Sequence, residues 1–336
     1  MVKQRIEYID AMRGFTMILV VYSHVCHFCL GDSLLGFNAV FILFRLPCFF
    51  FISGWLFETI AYQPFWKVAR RKMMVQLIPT FVFLFLLAPP PEFFHQLGAF
   101  KGGYWFTFVL FEFFVFYMLL VQLCRKWGLG MALLITLGSY CYARYYSAIQ
   151  TTAVGWQIFA VNVLGGLSVV LWRYFLFFYI GAWVRRHFGV FIRWTDKPVV
   201  LLVITAVFAC VASTPHKDHL LYEMIRFYLG GISGMIMVFS LFRLSASWLQ
   251  RVRLSKPLQY IGTRTLDVYL LHYFFLPRFL LSYADQLQAL DCNVVEFFVI
   301  LGITLLVLVV TLLVSYLIRL NHFLGHYLFG VDYRKC

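Results

Sequence analysis

Apolar stretches of about 20 residues recur from one end of this 336-residue chain to the other, and that is the length an α-helix needs to cross ~30 Å of hydrocarbon. In lipid every backbone N–H and C=O must find its partner inside the protein, so such stretches fold as helices of a bundle. Hydrophobic residues make up 62% of the chain and charged residues 12%, against roughly 45–50% and about 25% in soluble domains. A mean hydropathy of +0.83 points the same way. An ordinary soluble protein, a disordered chain, a coiled coil and a collagen are thereby excluded. Apolar runs between charged or Pro/Gly breaks begin near Ala11, Asn38, Met73, Tyr104, Leu129, Gln157, Pro198, Met224, Leu258 and Val294. The expected fold is an all-α, polytopic integral membrane bundle of about ten transmembrane helices. The sixth run is irregular. Residues 156–183 are too long for one plain helix and contain Gly165, Gly166 and Arg173, the pattern of a short re-entrant piece followed by a full span.

The 28 Lys and Arg outnumber the 14 Asp and Glu, giving a net charge of +14. In a soluble protein this would suggest nucleic acid. Cytoplasmic loops of membrane proteins collect Lys and Arg, so no nucleic-acid partner is expected. With the N-terminus in the cytoplasm, 20 basic residues fall on that side and three on the other, Lys101, Arg144 and Lys217. Arg45, Arg173, Arg226, Arg264 and Arg278 lie within or at the edge of spans. This asymmetry predicts that both termini face the cytoplasm. No long hydrophilic loop interrupts the spans, so one transmembrane domain over residues 1–336 is expected, without a separate soluble domain.

The eight cysteines are scattered, mostly inside apolar runs, unlike a secreted disulfide framework. Cys26 and Cys29 have CxxC spacing but no second pair to complete a metal site, and no metal is expected. The first apolar run follows Lys3, Arg5 and Arg13 without a small-residue cleavage site, so it is expected to stay as a helix. The chain has no P-loop, no dinucleotide-binding glycine motif, no HExxH and no GxSxG.

A charge at mid-bilayer costs about 2.5–3.5 kcal/mol on insertion scales, which makes ionisable residues inside apolar runs the place to look for function. Arg13 and His24 are 11 positions apart. That is three helical turns, so both lie on one face with about 16.5 Å of rise between them. Asp10, one turn before Arg13, can pair with it. The plain alternative makes Asp10 an N-cap, Arg13 a snorkelling anchor and His24 a hydrogen-bonded bundle residue. Arg45 sits too far from either end of its run to be an anchor, and is expected to face a cavity or an acid such as Glu112. Ser53-Gly54 reads first as close helix packing. Arg264 and Asp267 are spaced to neutralise each other, and His272, beside Tyr269 in helical spacing, reads alone as a satisfied core residue.

Three stretches together resemble the acyltransferase-3 family of bacterial integral-membrane acyltransferases. Tyr8-Ile9-Asp10-Ala11-Met12-Arg13-Gly14 through His24 carries the family's Arg-X10-His signature. Arg45-Leu46-Pro47 with Phe50-Phe51-Ile52-Ser53-Gly54 is the second stretch, and Tyr260-Ile261-Gly262 through Tyr269-Leu270-Leu271-His272 the third. Weaker likeness at Trp105-Phe106 and at Phe178-Tyr179-Ile180-Gly181 extends it over nearly the whole chain. Basic residues lead into a proline on the third span, Arg70-Arg71-Lys72 up to Pro79, although Gln76 stands where many relatives keep a second basic residue. The chain resembles the stand-alone members, which lack a fused periplasmic hydrolase-like domain. The resemblance implies a multi-pass protein of the cytoplasmic (inner) membrane. It also implies transfer of an acyl group, commonly acetyl, from a cytoplasmic donor such as acetyl-CoA to a hydroxyl of a cell-surface glycan or lipid-linked sugar. Acyl-CoA is then a donor substrate, and no bound cofactor is expected.

On that resemblance His24 is expected to act as general base on the acceptor hydroxyl, or as a transient acyl carrier. Arg13, paired to Asp10, would orient donor phosphates, and Arg45 would stabilise oxyanion charge. Lys67, Arg70, Arg71 and Lys72 suit the phosphates of CoA. Ser53, Trp105, Tyr269 and His272 complete the expected substrate contacts. Two other readings stand beside this one. A transporter or exporter of a small acidic or acylated metabolite also places Arg and His inside the membrane, although the chain shows no clear internal repeat of the kind many transporters have. In a non-catalytic scaffold, His24 and Arg45 would be replaceable without consequence.

Overall fold

Residues Glu7–Cys29 hold no proline and a single glycine, and Glu7 and Asp10 in the first turn suit the positive end of the helix dipole. They form helix α1 in the computed structural model, which describes residues 6–32, 34–87, 101–123, 125–289 and 292–330. All regular structure among the described residues is helical. Helix α2 (Asn38–Glu58) carries Pro47 inside it, which neighbouring helices make tolerable in a membrane protein. The third apolar run is interrupted. Helix α3 (Phe65–Lys72) passes through a π-helical turn, Met73–Leu77, into α4 (Ile78–Leu87). The wide turn lies directly before Pro79, whose missing N–H and ring disturb the hydrogen-bond ladder over that stretch.

Five helices among the described residues are long and apolar enough to cross a membrane: α1, α2, Trp105–Leu123, Leu220–Leu244 and Asn293–Leu320. The number rises to seven if two bent pairs each form one span, Trp156–Gly166 with Val169–Arg186 and Phe188–Thr195 with Pro198–Ser213. The first pair bends by 47° at the point where the Gly165-Gly166 pattern predicts a break. Other expected spans are present as shorter or more polar helices. Gly128–Thr152 is 25 residues long, but residues 139–152 are dense in Tyr, Ser, Thr and Arg144. The run near Leu258 is two short helices, Ser255–Thr263 and Thr265–Leu271, separated by Arg264 at φ −114° and ψ 24°.

Backbone packing divides the chain into two compact units, with two of the boundaries between them inside α2 and inside the Leu220–Leu244 helix. The first comprises Met1–Phe49, Phe188–His216 and Ile225–Leu320. At its centre is α1, with 78% of its apolar window enclosed, whereas Asn293–Leu320 has 28% and is a perimeter helix. The polar residues of α1 therefore sit in protein rather than in lipid. Helix α1 and Ser255–Thr263 cross at glycines: a Cβ on Gly14 would come within 2.8 Å of the Leu258 carbonyl carbon, and one on Gly262 within 2.9 Å of that of Asp10. Such small-residue contacts let two backbones meet, as membrane helices require when no hydrophobic force drives them together.

The second unit comprises Phe50–His187, Lys217–Met224 and Asn321–Cys336. It is built on a second glycine crossing, in which Gly54 faces the Phe178 carbonyl and Gly181 faces that of Phe51. Around it Phe50, Phe51, Phe57, Phe113, Phe175, Phe177 and Phe178 are fully buried. Phe57 and Phe114 stack at 4.3 Å between centroids, and Phe113 meets Phe175 edge-on at 5.1 Å. Much of the chain's phenylalanine is thus core, in the offset and edge-on arrangements that ring quadrupoles favour.

Candidate active site

The rigid α1 carries His24 and the Thr265–Leu271 helix carries His272 at its end, and the first unit brings the two imidazoles together. His24 Nδ1 lies 2.7 Å from His272 Nε2, with the rings 4.9 Å apart and inclined by 7°. His272 is fully buried, and its Nδ1 lies 2.8 Å from the Val268 carbonyl oxygen. A carbonyl only accepts, so His272 Nδ1 carries the hydrogen and, in the neutral ring, Nε2 is a bare acceptor. His24 must then donate from Nδ1, which leaves its Nε2 with a lone pair. Tyr273 Oη stands 3.4 Å from that nitrogen, and the Tyr273 ring lies 4.2 Å from His272 and 5.0 Å from His24. His24 itself is partly exposed. The result is a neutral imidazole whose Nε2 is fixed as a proton acceptor beside the Tyr273 hydroxyl. Tyr269, buried, lies 6.2 Å from the His272 ring.

Arg45 extends the same site. Its Nη1 donates to Asn38 Oδ1 at 3.0 Å, and Asn38 Nδ2 donates to Ser23 Oγ at 3.2 Å, next to His24 in sequence. Asn38 is fully buried. The expected acidic partner Glu112 instead accepts from Trp172 Nε1 at 2.8 Å, so its described bond is made elsewhere. Asn38 stands seven residues before Arg45, two turns along the same face of α2, which makes this link readable from sequence.

Towards the other end of α1, Asp10 is buried and Arg13 half-buried, both beside the Gly14–Gly262 crossing. The expected Arg264–Asp267 pair is not the one formed. Arg319 donates to Asp267 from Nε at 2.6 Å and Nη2 at 2.8 Å, and Ser315 Oγ adds a third bond at 2.5 Å. Arg264 instead lies over the Tyr260 ring at 3.8 Å. The Asp267 side chain is 2% exposed and Arg319 24%, so removing the arginine strands a buried carboxylate. Arg319→Met is expected to cost about 3–5 kcal/mol, seen as a lower Tm in detergent. The double variant Asp267→Leu, Arg319→Met should recover most of it; equal Tm for the wild type and Arg319→Met would overturn the ion pair's role.

The remaining expected site residues belong to the second unit. Lys67, Arg70 and Arg71 are exposed on α3, and Lys72 is half-buried with Nζ 4.2 Å from the Phe114 ring centroid. Gln76, in the π-helical turn, donates to the Thr107 carbonyl at 2.8 Å, so it serves packing where a basic residue was the family pattern. Ser53 is half-buried beside the Gly54 crossing, and Trp105 meets Phe106 edge-on at 6.0 Å. In the same unit Arg186 gathers Glu58, Tyr62 and Tyr117 around it, with Nε to Glu58 Oε1 at 3.0 Å. Tyr273, Asn38 and Arg319 were not singled out by the sequence. Only Tyr273 and Asn38 carry a local signal, adjacency to His272 and spacing to Arg45. Among the described residues no group of three or more His, Cys, Asp or Glu could hold a metal ion.

Residues 6–320 match a family described as an acyltransferase domain. No curated protein and no solved structure matches the chain.

Proposed function

The chain belongs to the acyltransferase-3 family, and from that membership we propose that it is a membrane-embedded O-acyltransferase moving an acyl group, acetyl first, from cytoplasmic acyl-CoA to a hydroxyl of a cell-surface glycan or lipid-linked saccharide. The observation that carries this reading is the His24–His272 pair, whose bonding to Val268 leaves His24 Nε2 as the proton acceptor. That atom takes the hydroxyl proton as the acceptor oxygen attacks the thioester carbonyl. Arg45, held on Asn38, stabilises the oxyanion that develops there. Arg13 and Asp10 orient the donor where it approaches α1. Tyr269 and Tyr273 wall the site against water.

Both termini face the cytoplasm in this reading, which gives α3 to the donor side. Its exposed Lys67, Arg70 and Arg71 meet the CoA phosphates, with Lys72 behind them. The double variant Arg70→Gln, Arg71→Gln is expected to raise KM for acetyl-CoA about tenfold, equivalent to about 1.4 kcal/mol, with kcat little changed. An unchanged KM would remove α3 from the donor site.

The test of the function itself uses purified protein in proteoliposomes, radiolabelled acetyl-CoA, and lipid-linked saccharides extracted from the host envelope. Free CoA thiol and labelled saccharide should appear together and in equal amounts. Movement of label across the bilayer without thiol release would overturn the reading in favour of a transporter.

A further inference from the structure

Arg278, in the first unit, is a cation that the chemistry described above leaves unused. It is exposed, and among the described residues its guanidinium makes no ion pair and no hydrogen bond. Asp32, just past α1, accepts from the Leu34 N–H at 2.8 Å instead. What the guanidinium meets is a ring: its Cζ lies 5.9 Å from the Phe28 centroid, within cation–π range. Phe28 is half-buried and meets both His24 and Tyr273 edge-on, each at 5.8 Å between centroids. The free guanidinium and the His24 imidazole therefore flank one phenyl ring.

The backbone under Arg278 is fixed. Leu276-Pro277-Arg278 closes an inverse γ-turn, with Pro277 at φ −77° and ψ 71° and the Arg278 N–H donating to the Leu276 carbonyl at 2.8 Å. The proline ring locks that φ, and Leu276 is buried beneath it. The turn that follows, Arg278–Tyr283, packs on the end of α1: a Cβ on Gly31 would stand 3.2 Å from Leu281 Cδ1. Gln288 Nε2 adds a bond to the Leu30 carbonyl at 3.4 Å. The segment that carries Arg278 is thus tied to the helix that carries His24. With the N-terminus in the cytoplasm, the His24 end of α1 points outward, where Lys and Arg serve no orienting purpose. A guanidinium presents five N–H donors in a planar fork that fits a phosphate or a carboxylate, and this one is spent on no protein acid.

We propose that Arg278 receives an oxyanion of the acceptor, a phosphate or a sugar carboxylate, and so holds the acceptor hydroxyl at His24. The proposal rests on the acyl-transfer reading and narrows its acceptor to an acidic saccharide. Because one phenyl ring separates guanidinium from imidazole, the anion and the acetylated hydroxyl lie on the same sugar or on neighbouring sugars. The oxyanion carries its charge before and during the reaction alike, so Arg278 binds ground state and transition state equally. Its loss therefore raises KM for the acceptor and spares kcat.

The experiment measures transfer from acetyl-CoA by the full-length protein in proteoliposomes, with four acceptor samples. These are lipid-linked saccharide extracted from the host envelope, the same glycan freed of phosphate, the same saccharide with its carboxyl groups reduced to alcohols, and the glycan after both treatments. On the untreated sample Arg278→Gln should raise the acceptor KM about 10–100-fold, with kcat and the KM for acetyl-CoA little changed. Arg278→Lys keeps the charge without the fork and should recover part of the loss. The treatment that brings the KM ratio of Arg278→Gln to wild type down to one identifies the anion as phosphate or carboxylate. Equal acceptor KM for the two proteins on the untreated sample, the result if the guanidinium meets only bilayer phosphates, overturns the proposal. So does a ratio that survives both treatments together. No thiol release by wild type with any sample removes the acyl-transfer reading itself, a failure distinct from either of these.

Discussion

His24→Ala lowers acyl transfer by about 10²–10⁴-fold in protein that inserts and elutes like the wild type. The size follows from what the imidazole supplies. His24 Nε2 is the acceptor end of a chain that starts at the Val268 carbonyl, runs through both nitrogens of His272 and arrives at His24 Nδ1. His24 is half-buried, and its loss leaves the buried Nε2 of His272 without a donor, at about 1–3 kcal/mol, which lowers Tm without changing the elution profile. His272 acts through His24 and is a positioning residue: His272→Gln should lower kcat, by less than His24→Ala does, with KM for acetyl-CoA unchanged. Residues that act as a unit are not additive, so His24→Ala combined with His272→Gln should be no slower than His24→Ala alone. Multiplying losses in the double variant would break the relay, and full activity in His24→Ala would end the base role altogether.

The parts of this site that are legible in the sequence are those that depend on local spacing. Arg13 and His24 share a face because 11 residues make three turns of one uninterrupted helix. The Asn38–Arg45 link is announced by a seven-residue step; apart from that site, in the second unit, Gly165-Gly166 announces the break between Trp156–Gly166 and Val169–Tyr174. What the sequence withholds is contact between distant segments. His272 reads as a lone core histidine because its partner stands 248 positions away; Asp267 reads as the partner of Arg264 because Arg319 is 52 positions on. In the second unit the Lys101–Ser168 hydrogen bond spans 67 positions, and no periodicity signals it. The span count suffers differently. Hydropathy registers apolar runs, but a π-helical turn before Pro79 and a break at Arg264 cut such runs into pieces. The glycine-bearing stretches that carry the family resemblance gain a physical meaning: Gly14 meets Ser255–Thr263 while Gly262 meets α1, and Gly54 and Gly181 repeat the arrangement in the second unit.

Gly262→Leu is accordingly expected to abolish recovery of monodisperse protein. A Cβ at this position would come within 2.9 Å of the Asp10 carbonyl carbon, closer than real Cβ contacts allow, and the obstacle is backbone rather than a side chain that can swing away. Adding methylenes to a packed core costs about 1–3 kcal/mol when side chains can repack; here α1 itself must move. That helix holds Asp10, Arg13 and His24, so a displacement at Gly262 also carries the base away from His272. Gly14→Ala, the smallest probe of the same crossing, should lower Tm by several degrees and reduce kcat together with it. Gly302→Ala is the matched control. It lies in the Asn293–Leu320 helix with nothing within 4 Å of a new Cβ, and trading glycine for alanine inside a helix is worth about 0.5–1 kcal/mol, so its Tm should hold or rise. Size-exclusion profiles and thermal melts in detergent read all three. A Gly262→Leu protein that elutes as a single peak with the wild-type Tm would show that the two helices do not meet there, and the placement of His24 against His272 would lose its support.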